Sequence, residues 1–176
     1  LSVVHDLGAN TGEFSRIAAK HAGLVVSQDI DPVAVERNYR RLSTETCKNI
    51  LPLLQDLYAP SPDIGWGNEE RDSFRQRGQC DAIMALALVH HLAISNNTPL
   101  GHIAALFAEL AQWLVIEFVP KSDSQVERLL RTRDDVFPHY NRQGFEEAFS
   151  KYFTLIKDQA VAGSERRLYL MRSLTS

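Results

Sequence analysis

Residues 3–14 read VVHDLGANTGEF: a short β-branched run, an acid at position 6, glycines at 8 and 12, and then the start of a helical pattern. A strand that turns at once into a helix is the opening unit of an α/β fold. Gly8 and Gly12 let the backbone turn tightly and approach a ligand where a Cβ would intrude. A helix start near Gly12 adds unpaired amides and the positive end of a dipole, suited to a carboxylate or a phosphate. In a doubly wound sheet ligands sit beyond the carboxyl ends of the strands, so this stretch predicts a fold and a ligand-facing turn together.

Working outward, strand signals alternate with helical spacing. A first strand is expected over 2–5, then a helix over 13–21 through Phe14, Ile17 and Ala18. A second strand covers 24–27 and closes on Gln28 and Asp29. Asp31 as N-cap and Pro32 in the first turn open a helix to about residue 42. Further strands are expected at 50–54, 81–88 and 113–119, with helices at 100–110, 124–130 and 144–150. Segments 153–157 and 167–171 follow one another through the turn-rich DQAVAGSER, so they are expected to pair antiparallel. Near-continuous apolar strands between helices imply a parallel sheet covered on both faces. The expected fold is a Rossmann-like doubly wound α/β sheet, mostly parallel, of seven strands with a C-terminal antiparallel hairpin. It forms one domain over residues 1–176. Segment 57–78, rich in Pro, Gly and charge, stands apart. It reads either as a surface excursion pinned by Trp66 and Phe74 or as a flap beside the site.

Composition narrows the function classes. With 44% hydrophobic and 23% charged residues and a formal charge of −3, nothing global draws the chain to nucleic acid or an anionic membrane. Arg37, Arg40 and Arg41, and the basic run 128–133, are interleaved with Glu36, Glu127, Asp134 and Asp135 and read as solvated helix faces. Cys47 and Cys80 suggest neither a disulfide framework nor a metal cluster, so a reduced, cytoplasmic setting is expected. His5, His21, His102 and His139 are scattered without metal-ligand spacing, and no metal is expected. The apolar run 82–89 is too short to cross a bilayer, and no signal-peptide pattern precedes the first strand. Leu1, on the doorstep of a strand, suggests a domain cut from a longer chain whose N-terminal region is a partner.

The turn argues against a pyrophosphate. The dinucleotide fingerprint wants G-x-G-x-x-G, whereas here Asn10 replaces the second glycine. Asp6 would repel a phosphate and attract an ammonium group. Asp29, at the end of the second strand, has the spacing of an acid that accepts ribose hydroxyls. Asp31 competes for that role but has a capping position. Asp56, after the third strand, reads as a turn former or as an acceptor for an adenine amino group with Leu57 against the ring. A phosphate-free ligand carrying an amine, a carboxylate and a positive centre fits this set.

DLGANTG, SQDIDP, QDL and CDAIMALALVHHL, in that order at strand ends, resemble the motif series of class I S-adenosylmethionine-dependent methyltransferases. The resemblance covers nearly the whole chain, terminal hairpin included. It implies that Asp6, Gly8 and Gly12 meet the methionine end of the cofactor, Asp29 the ribose and Asp56 the adenine, with Asn10, Ile30, Leu57 and Leu86 as further cofactor-binding residues. Asn10 departs from the usual glycine, although Asn tolerates unusual φ. GWGNEER, LALVHHLAISNN, VIEFVPKSDSQV and FPHYNRQGFEEAF are similar to a narrower NoeA-like, nodulation-protein-related group, in which the resemblance implies a longer polypeptide.

Methyl transfer from a sulfonium is an in-line displacement, in which positioning can contribute about 7–11 kcal/mol. A base is needed only where the acceptor must lose a proton. His90 and His91, after the fourth strand, are the candidate catalytic pair; the bland alternative is one helix cap and one core residue. Glu117 is either a satisfied core acid or a substrate contact. ALAL stands where amino-methylating nucleic-acid enzymes carry an N-P-P-Y type motif, so a small-molecule acceptor is favoured over nucleic acid. Two rival functions stay open: a NAD(P)-dependent oxidoreductase, and a cofactor-binding scaffold without turnover.

Overall fold

β1 (Val3–Leu7) pairs in parallel with β2 (Leu24–Asp29) and with β4 (Cys80–Ala85), and β2 pairs in parallel with β3 (Ile50–Leu54). Their inward Val4, Leu7, Val25, Val26 and Ile83 are buried, each side chain contributing about 1.5–3 kcal/mol. These observations come from a computed structural model that describes residues 1–131 and 134–175. Arg133 of the expected basic run lies outside the described residues. The chain divides into two compact units, Leu1–Met84 with Glu109–Ala111, and Ala85–Ala108 with Gln112–Ser176. The strand order is β3-β2-β1-β4-β5-β7-β6, the seven-stranded, mostly parallel sheet with a terminal hairpin that the sequence predicts.

In the first unit, α1 (Glu13–Ala18) is shorter than its pattern suggests, and its buried residue is Ser15. Phe14 and Ile17 lie outward, at 53% and 56% exposure. The helix turns a hydroxyl inward because Asp6 lies beneath it, as described below. α2 (Pro32–Thr44) starts as predicted: Asp31 Oδ1 accepts from the Val33 amide at 2.9 Å with Pro32 in the first turn. Its buried stripe is Ala34, Asn38 and Leu42. On its solvent side Arg40 pairs with Glu36 and Arg41 with Glu45, so acids do interleave there.

Segment 57–78 is locally ordered. It carries a 3-10 turn at Trp66–Asn68, an antiparallel bridge between Ile64 and Arg71, and the one-turn α3 (Phe74–Arg77) with a Ser73–Gln76 capping box. Phe74 is buried but Trp66 is 89% exposed, so one aromatic anchors the segment, not two. Gly65 and Gly67 have positive φ and project the turn that bears Trp66 outward.

In the second unit, β5 (Ala111–Phe118) pairs antiparallel with β7 (Arg167–Ser173), which pairs antiparallel with β6 (Phe153–Ala160) across a bulge at Leu155/Lys157. α4 (Leu100–Leu110), α5 (Ser124–Leu130) and α6 (Arg142–Phe149) cover it. Phe145 and Phe149, one turn apart on α6, are buried, with ring centroids 4.4 Å apart. Phe118, Tyr140, Phe153 and Tyr169 extend this aromatic core. The buried Tyr140 hydroxyl donates to the Val119 carbonyl at 2.8 Å, and burial pushes its pKa up. Tyr140→Phe leaves that carbonyl short of a donor; a loss of about 1 kcal/mol, or about 2–4 °C in Tm by calorimetry, is expected.

β4 ends at Ala85, three residues before the predicted strand end. Ala87 takes a left-handed φ of 49°, which no strand accommodates.

Candidate cofactor-binding turn and acceptor-side cluster

The first unit gathers the predicted cofactor residues at the carboxyl ends of β1, β2 and β3. Gly8, Asn10 and Gly12 all adopt left-handed φ, at 73°, 50° and 76°. Asn10 therefore does take the unusual φ its place demands. The amides of Gly8 and Ala9 both donate to the Gln28 carbonyl at 2.9 Å, which ties the turn to the end of β2. Asp29 fixes the same junction with its carboxylate. Its Oδ2 accepts from the Asn10 amide at 2.7 Å and its Oδ1 from the Asp31 amide at 2.9 Å. Each oxygen keeps a second lone pair for other donors. Ile30, beside it, is exposed. The Gln55 amide donates to the Asp29 carbonyl at 2.9 Å, bringing Asp56 and Leu57 next to it. Asp56 Oδ1 accepts from the Tyr58 amide at 2.8 Å, a local turn that fixes its side chain.

Asp6 is buried, and its Oδ2 accepts the Ser15 hydroxyl at 2.5 Å. Burial raises its pKa to about 6; the Ser15 bond opposes that rise and the Asp29 charge adds to it. Oδ1 has no protein donor among the described residues. Behind the turn, Arg16 Nη1 donates to the carbonyls of Gly12 (2.8 Å) and Thr11 (3.1 Å) and to Asn38 Oδ1 (2.9 Å). A Cβ on Gly12 would lie 2.5 Å from Asn38 Nδ2 and 2.7 Å from Arg16 Nη1.

The second unit carries Leu86, His90 and His91. The Ala87 amide donates to Glu117 Oε2 at 2.8 Å, so the left-handed turn after β4 is held by a buried carboxylate. Glu117 is thus a satisfied acid, and its Oε1 lies 3.7 Å from Arg166 Nη1. Arg166 grips Asp123 with two nitrogens, at 2.7 and 3.1 Å, and Asp123 caps α5. His90 is buried, its ring centroid 4.3 Å from that of the exposed His91, and its Nδ1 has no hydrogen-bond partner. Burial, then the charges of His91 and Arg166, lower its pKa to about 4 against the pull of Asp123. His90 is therefore neutral near pH 7. A π-helical turn, His91–Ser95, follows it; such turns and strained residues such as Ala87 concentrate at functional positions.

Sequence reasoning passes over Ser15, Arg16, Asn38, Asp123 and Arg166. For Asn38 a signal exists, since it is the one polar member of the stripe Ala34, Asn38, Leu42. Arg166 lies in a hairpin turn, far in sequence from its partners, and gives no such signal.

No family model matches the chain. It is 43% identical over 165 residues to "Nodulation protein NoeA" of Rhizobium meliloti (strain 1021), covering 93% of this chain and 34% of that protein. The chain thus spans about a third of the curated relative it matches. Among solved structures it is similar to the N-methyltransferase NodS of Bradyrhizobium japonicum WM9 in complex with S-adenosyl-L-homocysteine. There the TM-score is 0.67 at 14% identity, over 98% of this chain and 78% of that one. It is also similar to magnesium protoporphyrin IX methyltransferase of Synechocystis PCC 6803 with the same compound bound. That likeness has a TM-score of 0.63 at 18% identity, over 97% of this chain and 73% of that one. The fold these likenesses share with the chain is that of the class I methyltransferases.

Proposed function

We propose that this chain, which carries the class I methyltransferase fold, binds S-adenosylmethionine and transfers its methyl group to a small-molecule acceptor. The single observation that carries the reading is the Asp29 carboxylate. It is fixed by two backbone amides at the end of β2, next to a turn with three left-handed residues. The residues fit the group. Asp6 would meet the ammonium, Gly8, Asn10 and Gly12 the amino-acid moiety, Asp29 the ribose hydroxyls, Ile30 and Leu57 the faces of the adenosine, and Asp56 the adenine amine. When bound, the cofactor supplies a methyl group activated by its sulfonium charge. Leu86 remains a proposed contact.

On the acceptor side we assign His90 as a hydrogen-bond acceptor, with His91 beside it. A neutral imidazole with a lowered pKa accepts from a hydroxyl or amine without first having to lose a proton, though it is a weak base. The acceptor is read as a small molecule and not as nucleic acid, since Arg40 and Arg41 are engaged with acids. Among the described residues no helix is long and apolar enough to cross a membrane, and a cytoplasmic location is part of the proposal. We also propose that further chain, of the kind the longer relative has, covers Phe14 and Ile17.

Isothermal calorimetry with S-adenosylhomocysteine and with NAD tests the reading. Saturable binding of the first alone is expected; binding of NAD alone would overturn it in favour of an oxidoreductase. A second reading, a scaffold that binds cofactor without turnover, is separated by assaying the full polypeptide for methylated product.

A further inference from the structure

Beneath the glycine turn runs a chain of side-chain hydrogen bonds. Arg16 Nη1 meets Asn38 Oδ1 at 2.9 Å, Asn38 Nδ2 meets Ser27 Oγ at 2.9 Å, Ser27 Oγ meets Ser15 Oγ at 2.9 Å, and Ser15 Oγ meets Asp6 Oδ2 at 2.5 Å. Ser15, Ser27, Asn38 and Asp6 are all buried. The proton inventory gives the chain one direction. A guanidinium only donates, so Asn38 must offer it the carbonyl oxygen and turn its NH2 toward Ser27. Ser15 has a single proton, and an ionised carboxylate only accepts, so that proton goes to Asp6. The Ser27 hydroxyl, already accepting from Asn38, then supplies the bond to Ser15. Every donor points toward Asp6, from a fixed cation at one end to the acid at the other. Bonds in such a series polarise one another.

We infer that Ser15, Ser27, Asn38 and Arg16 act as a one-way donor relay that holds Asp6 as an oriented carboxylate with Oδ1 turned to its ligand. These are positioning residues. Only the naming of that ligand, the ammonium group of S-adenosylmethionine, rests on the proposed function. The relay also explains why α1 turns a serine inward while Phe14 and Ile17 face out. It further explains why an asparagine stands in the apolar stripe of α2. Arg16 joins relay and turn physically, since the nitrogen that starts the chain also holds the Gly12 carbonyl.

The charged groups on the elements around β1 are Glu13 and Arg16 on α1, Asp29 on β2 and Asp81 on β4; on β1 itself His5 is engaged with Gln28. Of these, the Asp29 charge adds to the rise that burial imposes on the Asp6 pKa, and the Ser15 hydrogen bond opposes it.

The test reads Asp6 directly, by carboxyl 13C NMR titration of the ligand-free protein. Wild type is expected to titrate near pH 6. Ser15→Ala removes the last donor and should move that midpoint up by about one pH unit, a tenfold change in proton affinity. Ser15→Thr keeps the hydroxyl and should restore it. Asn38→Leu is of similar size and adds no charge, but it cannot donate to Ser27, and it too should move the midpoint up, by less than Ser15→Ala. A midpoint unchanged in either Ser15→Ala or Asn38→Leu, with wild-type circular dichroism and Tm, would overturn the relay. Should Ser15→Ala fail to fold, Asn38→Leu decides alone. Titrating wild type with S-adenosylhomocysteine across pH separates the two ideas. A relay seen by NMR with no binding at any pH sinks the cofactor and keeps the relay.

Discussion

Asp29→Ala is expected to weaken S-adenosylhomocysteine binding by more than tenfold in calorimetry. The wild-type carboxylate offers lone pairs to two ribose hydroxyls, and a hydrogen bond to a charged group contributes about 1.5–3 kcal/mol. The substitution does more than remove those acceptors. It also frees the amides of Asn10 and Asp31, which Asp29 holds at 2.7 and 2.9 Å, and so loosens the turn beside it. Asp29→Asn separates the two contributions. An amide oxygen can still accept from one amide, so the turn should be partly kept and the loss of affinity smaller. Affinity unchanged by Asp29→Ala would remove Asp29 from the ribose role and leave Asp31 as the nearest alternative.

Gly12→Ala is the second large effect, and it acts on stability and ligand binding together. At φ 76° an alanine costs about 1–3 kcal/mol in backbone strain alone. Its Cβ would also sit 2.5 Å from Asn38 Nδ2, 2.6 Å from Asn38 Oδ1 and 2.7 Å from Arg16 Nη1. Both side chains are held by their own hydrogen bonds, so neither yields freely. A loss of about 3 kcal/mol corresponds to roughly 6–12 °C in Tm for a chain of this size, measurable by scanning calorimetry. Binding of S-adenosylhomocysteine is expected to disappear with it. A Tm within about 2 °C of wild type would show that the relay side chains can step aside, contrary to the packing around Gly12.

The opposite signs of two pH effects on Asp6 offer an internal check. Because burial raises its pKa from 3.8 to about 6, ionising Asp6 opposes folding. Its contribution to the stability of the free protein is therefore greatest at low pH and declines as pH rises through that interval. Binding of an ammonium group needs the ionised form, so affinity should rise over the same interval.

Sequence periodicity and strand-end chemistry carried most of the fold. β3, α4 and α5 stand where spacing places them, and Asp31 caps α2 as its position before Pro32 implies. Errors came where one side chain overrides a local pattern. The alternation 81–88 reads as a strand to its end, but the Glu117 carboxylate draws off the Ala87 amide from 30 residues away and turns the chain. Phe14, Ile17 and Ala18 carry the helical spacing of the segment, yet Ser15 takes the inward place, where its hydroxyl donates to Asp6. Of the candidate site, the carboxylates and glycines were legible, since turn geometry and charge at strand ends are local properties. The relay and the Arg166–Asp123–Glu117 cluster were not, because their members meet only through the fold.

One modest feature of β3 bears on how molecules of this protein treat one another. It is the outermost strand on its side, with Leu51, Leu53 and Leu54 open to water, a composition that invites strands of other molecules to anneal onto it. Pro52, opposite Ser27 in the middle of that strand, has no amide proton to offer a newcomer. A single imino acid thus removes one amide donor from an otherwise greasy seam and makes it a poorer template for intermolecular annealing.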